Sequence, residues 1–290
     1  MPASRGSSHR SDGTKPSTPM FTTRLCLLLS SVVLVTACSV SQSDERAIGS
    51  ANAAQVDSEL PIVHDSVVDL FVTELGRSMA SKTSRADLDW RFEVVNSPDV
   101  NAFALPGGFI YVNRGAIEQA DRFDEIAGIM GHEIGHVVRR HSVKQIQGQE
   151  RRVVGLVLLC TLTRICHTIG GRVAVQVGED ALSAKYSQHD EAEADSEGVV
   201  NTVRAGIDPE GLPAFFEKLF EEQKRQPSLV ETFFSTHPSD ESRVAHTRKQ
   251  IAGLKLDPKQ ELRRDTPDFH AIQERVRAWP APPKPDTMQR

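Results

Sequence analysis

One short stretch, His132-Glu133-Ile134-Gly135-His136, constrains what this chain can fold into more than any other part of the sequence. It lies in a run of helical periodicity from Asp121 to Arg140, so its two histidines lie within about 40° of each other on one helix face. Glu133 points roughly 100° away, where its carboxylate can reach a water molecule on an ion held by the histidines. Imidazole ligands with one open position suit Zn²⁺, which activates water and polarises a carbonyl. The stretch therefore predicts a metal helix that supports hydrolysis, with Glu133 as the general base.

The same helix carries three glycines on one stripe. Gly128, Gly131 and Gly135 fall within roughly 60° on the helical wheel, between an apolar face and the histidine face. Each glycine inside a helix costs about 1 kcal/mol relative to alanine. We therefore predict that another element packs unusually close here, namely the element that carries the remaining metal ligand. A tolerated scatter of glycines is the alternative.

The residues alone leave the third ligand open. His141 continues the helical pattern of the metal helix, so it is expected on the surface or behind the ligands rather than on the ion. Glu191 and Asp195 lie one turn apart on a later helical stretch, residues 180–205. A carboxylate ligand with a second carboxylate behind it is an arrangement that orients metal-bound imidazoles. An acidic helix of this kind is otherwise a solvated face.

The N-terminal segment has the pattern of an export signal. An apolar run from Leu25 to Ala37 follows Arg24 and ends in small residues, and it is shorter than the roughly 20 apolar residues that span a bilayer. The stretch Val35-Thr36-Ala37-Cys38 also resembles the bacterial lipobox, in which the cysteine is acylated and becomes the first residue. We therefore expect a signal peptide over residues 1–37, with Met20 as an alternative start, and a lipid anchor on Cys38. A buried core helix is the alternative interpretation.

The residues after Cys38 indicate where the chain is held. Ser39 differs from the Asp of an inner-membrane retention signal, which favours the periplasmic face of the outer membrane of the bacterial cell envelope. Residues 38–60 are polar and small without a sustained period, so they predict a lipidated cysteine followed by a flexible tether. In that oxidising compartment Cys160 and Cys166 either close a small disulfide loop or, if both lie on one helix, stay free thiols.

The remaining pattern predicts an α+β fold that is mainly α. Helical spacing runs over residues 61–79, 213–223 and 239–252, and alternation from Trp90 to Val94 indicates a half-buried strand. The net charge of -5 is spread without long basic runs, so no nucleic-acid partner is expected.

A second extended region precedes the metal helix. Residues 101–112 form two extended pieces joined at Pro106-Gly107-Gly108. Proline favours turns and edge strands, so part of this small sheet is expected to have a free edge that can accept an extended peptide. A plain hairpin is the alternative.

Four motifs in this order resemble one known family. The metal-helix motif, followed about fifty residues later by Glu-x-x-Ala-Asp at Glu191 to Asp195, is similar to the gluzincin peptidases of the CAAX prenyl protease, HtpX and BepA type. The stretch Asn101 to Gly108 also resembles that family, as does His237-Pro238 followed by Arg243. The resemblance covers about residues 61–252 and implies a zincin-like zinc metallopeptidase domain there, with its edge strand beside the metal helix. Residues 253–290 are then a C-terminal tail that is proline-rich at its end.

The resemblance also assigns ligands and substrates. It implies that Glu191 is the third zinc ligand beside His132 and His136, with one Zn²⁺ per chain, and that Asp195 supports the ligands from behind. The expected substrates are misfolded or misassembled envelope proteins, cut by an endopeptidase. The substrate is expected on the residues Asn101, Ala102, Phe103 and Ala104.

Two further roles remain alternatives. Arg243 is expected to stabilise the oxyanion of the reaction, although an arginine on a helix more often pairs with a carboxylate. His237, held on a turn by Pro238, is expected either to donate to the reaction intermediate or to occupy the fourth zinc position in a closed state. At the level of the whole protein, the alternative is a periplasmic chaperone or assembly factor that keeps the zinc fold with little proteolysis, with the envelope assembly machinery as a partner.

Overall fold

Helices make up most of the described residues and surround one small sheet, which confirms the mainly helical α+β fold. The computed structural model describes residues 40–148, 185–257 and 259–281. Its helices are α1 (Gln42–Glu59), α2 (Ser66–Ala80), α3 (Arg114–Gln119), α4 (Phe123–Val138), α5 (Gln188–Arg204), α6 (Gly211–Arg225), α7 (Pro227–Thr236), α8 (Ser242–Gly253) and α9 (Pro267–Arg277), with residues 141–148 also helical. Its strands are β1 (Ile62–Val63), β2 (Arg91–Val95), β3 (Ala102–Leu105) and β4 (Phe109–Asn113).

Some predictions lie beyond these ranges. The signal peptide, the lipidated Cys38 and the pair Cys160 and Cys166 fall outside the described residues. Within the described part of the chain, none of the helices combines the length and the apolar character that crossing a bilayer requires.

The sheet has the strand order β1-β2-β4-β3, which places β3 at one edge. β2 and β4 are parallel, whereas β3 and β4 form an antiparallel hairpin in which Ala102 is opposite Val112. The hairpin turns at Gly107 and Gly108, whose φ angles of 84° and 103° are accessible to glycine without strain. The hairpin and the edge strand, which the sequence left as alternatives, are therefore the same element.

The two faces of the sheet enter different cores. Side chains alternate along a strand, so Ile110 and Val112 of β4 point into the main core with α2 and α4, and Phe109 and Tyr111 point to the opposite face. That opposite face packs against α1. The metal helix and α1 thus lie on opposite sides of the hairpin.

The predicted tether over residues 38–60 is wrong for residues 42–59, which form α1. Ser41 caps this helix in a capping box with Asp44. Its buried face consists of Glu45, Gly49, Ala53 and Val56. Small residues let the helix backbone approach the Pro106 carbonyl directly, so the helix docks closely without the large apolar side chains that a periodicity search detects.

The predicted boundary at residue 252 is also wrong. Helix α9 packs Phe269, Ile272 and Val276 into the main core. The Gln273 side-chain amide donates to the Ile117 carbonyl at 2.9 Å. The compact region therefore extends at least to Arg277.

The helix predicted over residues 61–79 has a different start and a different buried face. Residues 62–63 pair with β2 as a short strand, and Asp65 caps α2 from Ser66. Val67 and Leu70 are exposed, whereas Val68 and Val72 are buried. Of the apolar residues at helical spacing in this stretch, Leu75 and Met79 are buried and Phe71 packs against the main core.

Candidate metal centre

Helix α4 positions the two histidines in the interior of the protein. His132 and His136 are 0% and 1% exposed, and their Nε2 atoms lie 3.0 Å apart. Burial, together with the charges of His132 and His237, lowers the pKa of His136 well below its ordinary value. The predicted metal helix therefore presents two ring nitrogens to one point.

The glycine stripe on α4 allows α5 to approach. A Cβ on Gly135 would lie 2.6 Å from the Ala194 carbonyl oxygen, and one on Gly131 would lie 3.3 Å from the Gly198 Cα. These two contacts confirm that a second element packs unusually close. Gly128 instead faces Leu212 at the start of α6, so the stripe serves two neighbouring helices.

Helix α5 brings Glu191 to the histidines. Its Oε2 lies 3.5 Å from His132 Nε2 and its Oε1 lies 3.4 Å from His136 Nε2. Burial opposes ionisation of this carboxyl group, but the charge of His237 and hydrogen bonds from the histidines hold its pKa well below the usual range. The acidic helix is thus not a solvated face at this position, since Glu191 is 2% exposed.

A pair of charged residues lies behind the histidines. Asp195 Oδ1 is 2.9 Å from His132 Nδ1, and Arg243 binds both oxygens of Asp195 at 2.7 Å. Arg243 also pairs with Glu191 at 2.7 Å and lies 4.0 Å from the centre of the Phe216 ring. These contacts fix His132 with its Nδ1 proton directed at Asp195, which leaves Nε2 free to bind an ion.

Glu133 is a carboxylate of the centre with both oxygens unsatisfied among the described residues. It is 0% exposed. Burial raises its pKa. Buried carboxylates without donors are rare because their desolvation is costly, so this geometry fits a centre that receives water or substrate at Glu133.

His237 completes the cluster. It follows α7, and its Nδ1 lies 3.0 Å from Glu191 Oε1 and 3.4 Å from His132 Nε2. Four residues each place one possible ligand atom here, and these four atoms lie within 4.8 Å of one another. The residues are His132, His136, Glu191 and His237. Three imidazoles and one carboxylate form a donor set that fits a tetrahedral Zn²⁺.

The other predicted site residues lie near the centre but not all in it. The donors of Arg243 are directed at Asp195, Glu191 and Ser239, contacts that favour the carboxylate-pairing role over the oxyanion role. Residues 102–104 form β3 at the sheet edge, against α4, and Asn101 precedes them. The Asn101 Oδ1 is buried without a partner in the described part of the chain.

The sequence did not single out Tyr186 as part of the centre. Its ring centre lies 3.9 Å from that of His136, and its hydroxyl lies 2.9 Å from Ser142 Oγ. It directly precedes Ser187, the N-cap of α5. An aromatic residue directly before a capping box was the available signal, because such a residue often packs near the fourth position of the helix, which here is Glu191.

Comparisons with known proteins agree with this geometry. The beta-barrel assembly-enhancing protease of Yersinia pestis is 27% identical over 226 residues, or 76% of this chain and 46% of that protein. Metalloprotease YcaL of Escherichia coli (strain K12) is 26% identical over 220 residues, covering 76% of this chain and 84% of that protein. The mitochondrial metalloendopeptidase OMA1 of Schizosaccharomyces pombe is 27% identical over 214 residues, covering 74% and 60%. This chain spans about half the length of the first of these relatives.

The family comparison covers the whole centre. The model of peptidase family M48 matches residues 69–251, which include α4, α5, His237 and Arg243. The resemblance drawn from the four sequence motifs is therefore confirmed. This chain belongs to peptidase family M48.

Proposed function

We propose that this protein is a zinc-dependent endopeptidase with one zinc per chain, in which His132, His136 and Glu191 hold the ion and Glu133 is the general base. The observation that carries the proposal is the position of Glu133. Its carboxylate is buried without hydrogen-bond donors in the described part of the chain, next to a set of nitrogen and oxygen atoms suited to zinc. A base needs such a place, where it can accept a proton from water.

Each residue of the centre would have a separate role in the hydrolysis of the peptide bond. Zinc at this position would polarise the peptide carbonyl and make water acidic enough to attack it near pH 7. Glu133 accepts the proton of that water on a carboxylate oxygen and returns it to the departing amine. Its raised pKa suits this exchange, because a carboxyl group whose pKa is shifted toward neutral pH can both accept the proton and return it. Asp195 and Arg243 keep His132 oriented throughout.

We propose unfolded segments of envelope proteins as substrates. Strand β3 has a free edge beside α4, and an extended peptide can add to such an edge through backbone hydrogen bonds. Residues 101–104 would be its binding strand. One relative is named a beta-barrel assembly-enhancing protease, which supports outer-membrane proteins and their assembly machinery as partners. The lipobox-like stretch at Cys38 supports a lipid anchor at the periplasmic face of the outer membrane.

One observation favours a second function. The side chains of the proposed ligands are nearly inaccessible to solvent, and His237 lies close enough to them to act as a fourth ligand. A protein held in this state would bind or escort clients as a chaperone or assembly factor with little proteolysis.

Cleavage of casein tests the peptidase. We expect the wild-type protein to cut casein, to stop when a zinc chelator is added and to recover when zinc is returned. Glu133→Gln should keep one zinc per chain and lose about 100- to 10,000-fold in activity, which is the usual contribution of general-base catalysis. Glu197→Gln, a partly exposed carboxylate on α5, is the matched control and should cut normally. Equal activity of Glu133→Gln and wild type would exclude Glu133 as the base.

His237 has a separate prediction. If the imidazole of His237 occupies the fourth coordination position of the ion, His237→Ala should free that position for water. The basal rate of casein cleavage should then rise. The rate of casein cleavage by His237→Ala, at zinc content equal to wild type, is the measurement. A loss of activity would instead assign His237 to stabilisation of the reaction intermediate.

A further inference from the structure

A fourth histidine, His141, lies directly behind the metal centre. The chain leaves α4 at Val138, and Arg140 adopts a left-handed conformation with φ of 57°. This turn breaks the helical pattern that the sequence suggested for His141 and directs its side chain back into the protein. His141 is 0% exposed, and its Nδ1 lies 2.9 Å from the Nδ1 of His136.

The contact between these rings fixes the position of protons. Two imidazole nitrogens 2.9 Å apart share a hydrogen bond only if one carries a proton and the other does not. The Nε2 of His136 faces His132 and Glu191, so it must stay unprotonated to bind an ion. The proton of neutral His136 then lies on Nδ1 and is donated to His141.

The next hydrogen bond starts at the other ring nitrogen of His141. Because its Nδ1 accepts, its own proton lies on Nε2, which faces Glu193 Oε2 at 3.2 Å and Asp190 Oδ1 at 3.5 Å. Glu193 also contacts Lys144 at 3.3 Å and Arg139 at 3.5 Å, which keeps it ionised as an acceptor. Hydrogen bonds thus run in one direction from His136 through His141 to Glu193.

We infer that His141 is a positioning residue for the metal centre and that it holds His136 as Asp195 holds His132. The inference rests on the proposed function, because it takes His136 as a zinc ligand through Nε2. The two ligand histidines are then supported differently. His132 donates straight to a carboxylate, whereas His136 reaches its carboxylate through a second imidazole. Tyr186 lies over the His136 ring, so His141 is the acceptor placed for its Nδ1 proton.

A second metal ion at His141, Asp190 and Glu193 is the competing explanation, since these groups are close enough to hold one. An ion on His141 Nε2 would require a lone pair there as well as on Nδ1, and a neutral imidazole has only one. Lys144 and Arg139 also already neutralise Glu193. The proton arrangement and a second ion therefore exclude each other.

Zinc affinity of the full chain, measured by competition with a chromophoric chelator, tests the inference. His141→Leu removes the acceptor and should weaken zinc binding by about 10- to 100-fold, as is usual for groups that support ligands from behind. His141→Asn has nearly the shape of Leu but places an oxygen where Nδ1 was, so it should recover most of that loss. The absorption spectrum of the cobalt-substituted protein should change in His141→Leu and return toward wild type in His141→Asn. Glu193→Gln should lower affinity less than His141→Leu, and Glu197→Gln, which pairs with the same Arg139, should leave it unchanged.

The outcomes separate this inference from the proposed function. A wild-type protein without zinc overturns both. With zinc present in the wild type, wild-type affinity in folded His141→Leu overturns the inference alone, and so does equal weakness of the Leu and Asn variants, which would indicate packing only. Two zinc ions per chain overturn it as well. If His141→Leu does not fold, equal affinity of Glu193→Gln and Glu197→Gln is the overturning result.

Discussion

Asp124 is a buried carboxylate on the same helix as Glu133, but unlike Glu133 it accepts a side-chain hydrogen bond. Asp124 lies in the first turn of α4, where the helix dipole favours a negative charge, and its Oδ1 accepts from Arg122 Nε at 3.0 Å. Its other oxygen has no hydrogen-bond partner among the described residues. Burial nevertheless outweighs these contacts and raises the pKa of Asp124 to about 6. A charged Asp124 is therefore a cost to the fold near neutral pH.

The sign of this effect gives a prediction for Asp124→Asn. The folded state binds a proton more tightly than the unfolded state, so stability falls as pH rises from about 4 to about 6 and the loss stays constant above that. Asn mimics the protonated form and should raise the free energy of unfolding at pH 7.5 by about 3 kcal/mol, since the pKa rises by roughly two units from 3.8 and one unit is worth about 1.4 kcal/mol. At pH 4.5 the gain should fall to about 1 kcal/mol. Urea unfolding at both pH values measures it.

Asp268→Asn is the matched control, because Asp268 occupies the same position in the first turn of α9 but is exposed. It should change stability little at either pH. An equal gain for Asp124→Asn at pH 4.5 and 7.5 would contradict the assignment to ionisation.

The close contact between helices α4 and α5 determines whether His132 and His136 meet Glu191. Helix α4 was predictable because its apolar and histidine faces are separated on the helical wheel, and α5 was predictable as a helix. The burial of Glu191 on α5 did not follow from its acidic sequence. The role of the glycines did follow, because three helix-destabilising residues on one stripe require a neighbour.

Gly135→Ala tests that contact. Alanine should favour a helix, but here its Cβ would lie 2.6 Å from the Ala194 carbonyl oxygen, three residues after Glu191. We expect a loss of about 2 kcal/mol from overpacking together with weaker zinc retention. Gly131→Ala, with its nearest contacts at 3.3 Å, should cost less.

Gly253→Ala on α8 is the control, because a Cβ there meets nothing within 4 Å. It should stabilise the protein slightly, by about 0.5 kcal/mol. Thermal unfolding and zinc content of the three variants rank these effects. A Gly135→Ala protein as stable as Gly253→Ala would contradict the close approach.

At the scale of the whole molecule, the compact region is larger than the part that matches the family. Helix α1 lies before the matched residues and α9 lies after them, and both bury side chains in the cores. Glu45 of α1 binds Arg85 at 2.6 Å and Arg140 at 2.8 Å, and Arg85 also donates to the Val137 carbonyl at the end of α4. These contacts could not be predicted from the sequence, because the buried face of α1 shows no strong apolar period. It consists of Glu45, Gly49, Ala53 and Val56.

Glu45→Gln should therefore destabilise the protein although it lies far from the metal centre in sequence. Removing the charge leaves Arg85 buried without its ionic partner, and breaking a buried pair in this way costs about 3 kcal/mol. Glu59→Gln at the exposed end of the same helix should have almost no effect. Denaturant unfolding of both variants is the measurement. Equal stability of the two would show that α1 contributes by apolar burial alone.

The candidate metal centre draws its donor atoms from α4, from α5 and from the residue that follows α7, so groups more than one hundred positions apart along the chain must come together before the atoms meet. An unfolded chain holds no such set of atoms, and zinc binding follows folding. A nascent copy therefore does not yet hold the ion that the proposed peptidase needs. Under the proposed function, this order of tertiary structure first and metal second would protect neighbouring unfolded chains from digestion until the new copy has folded.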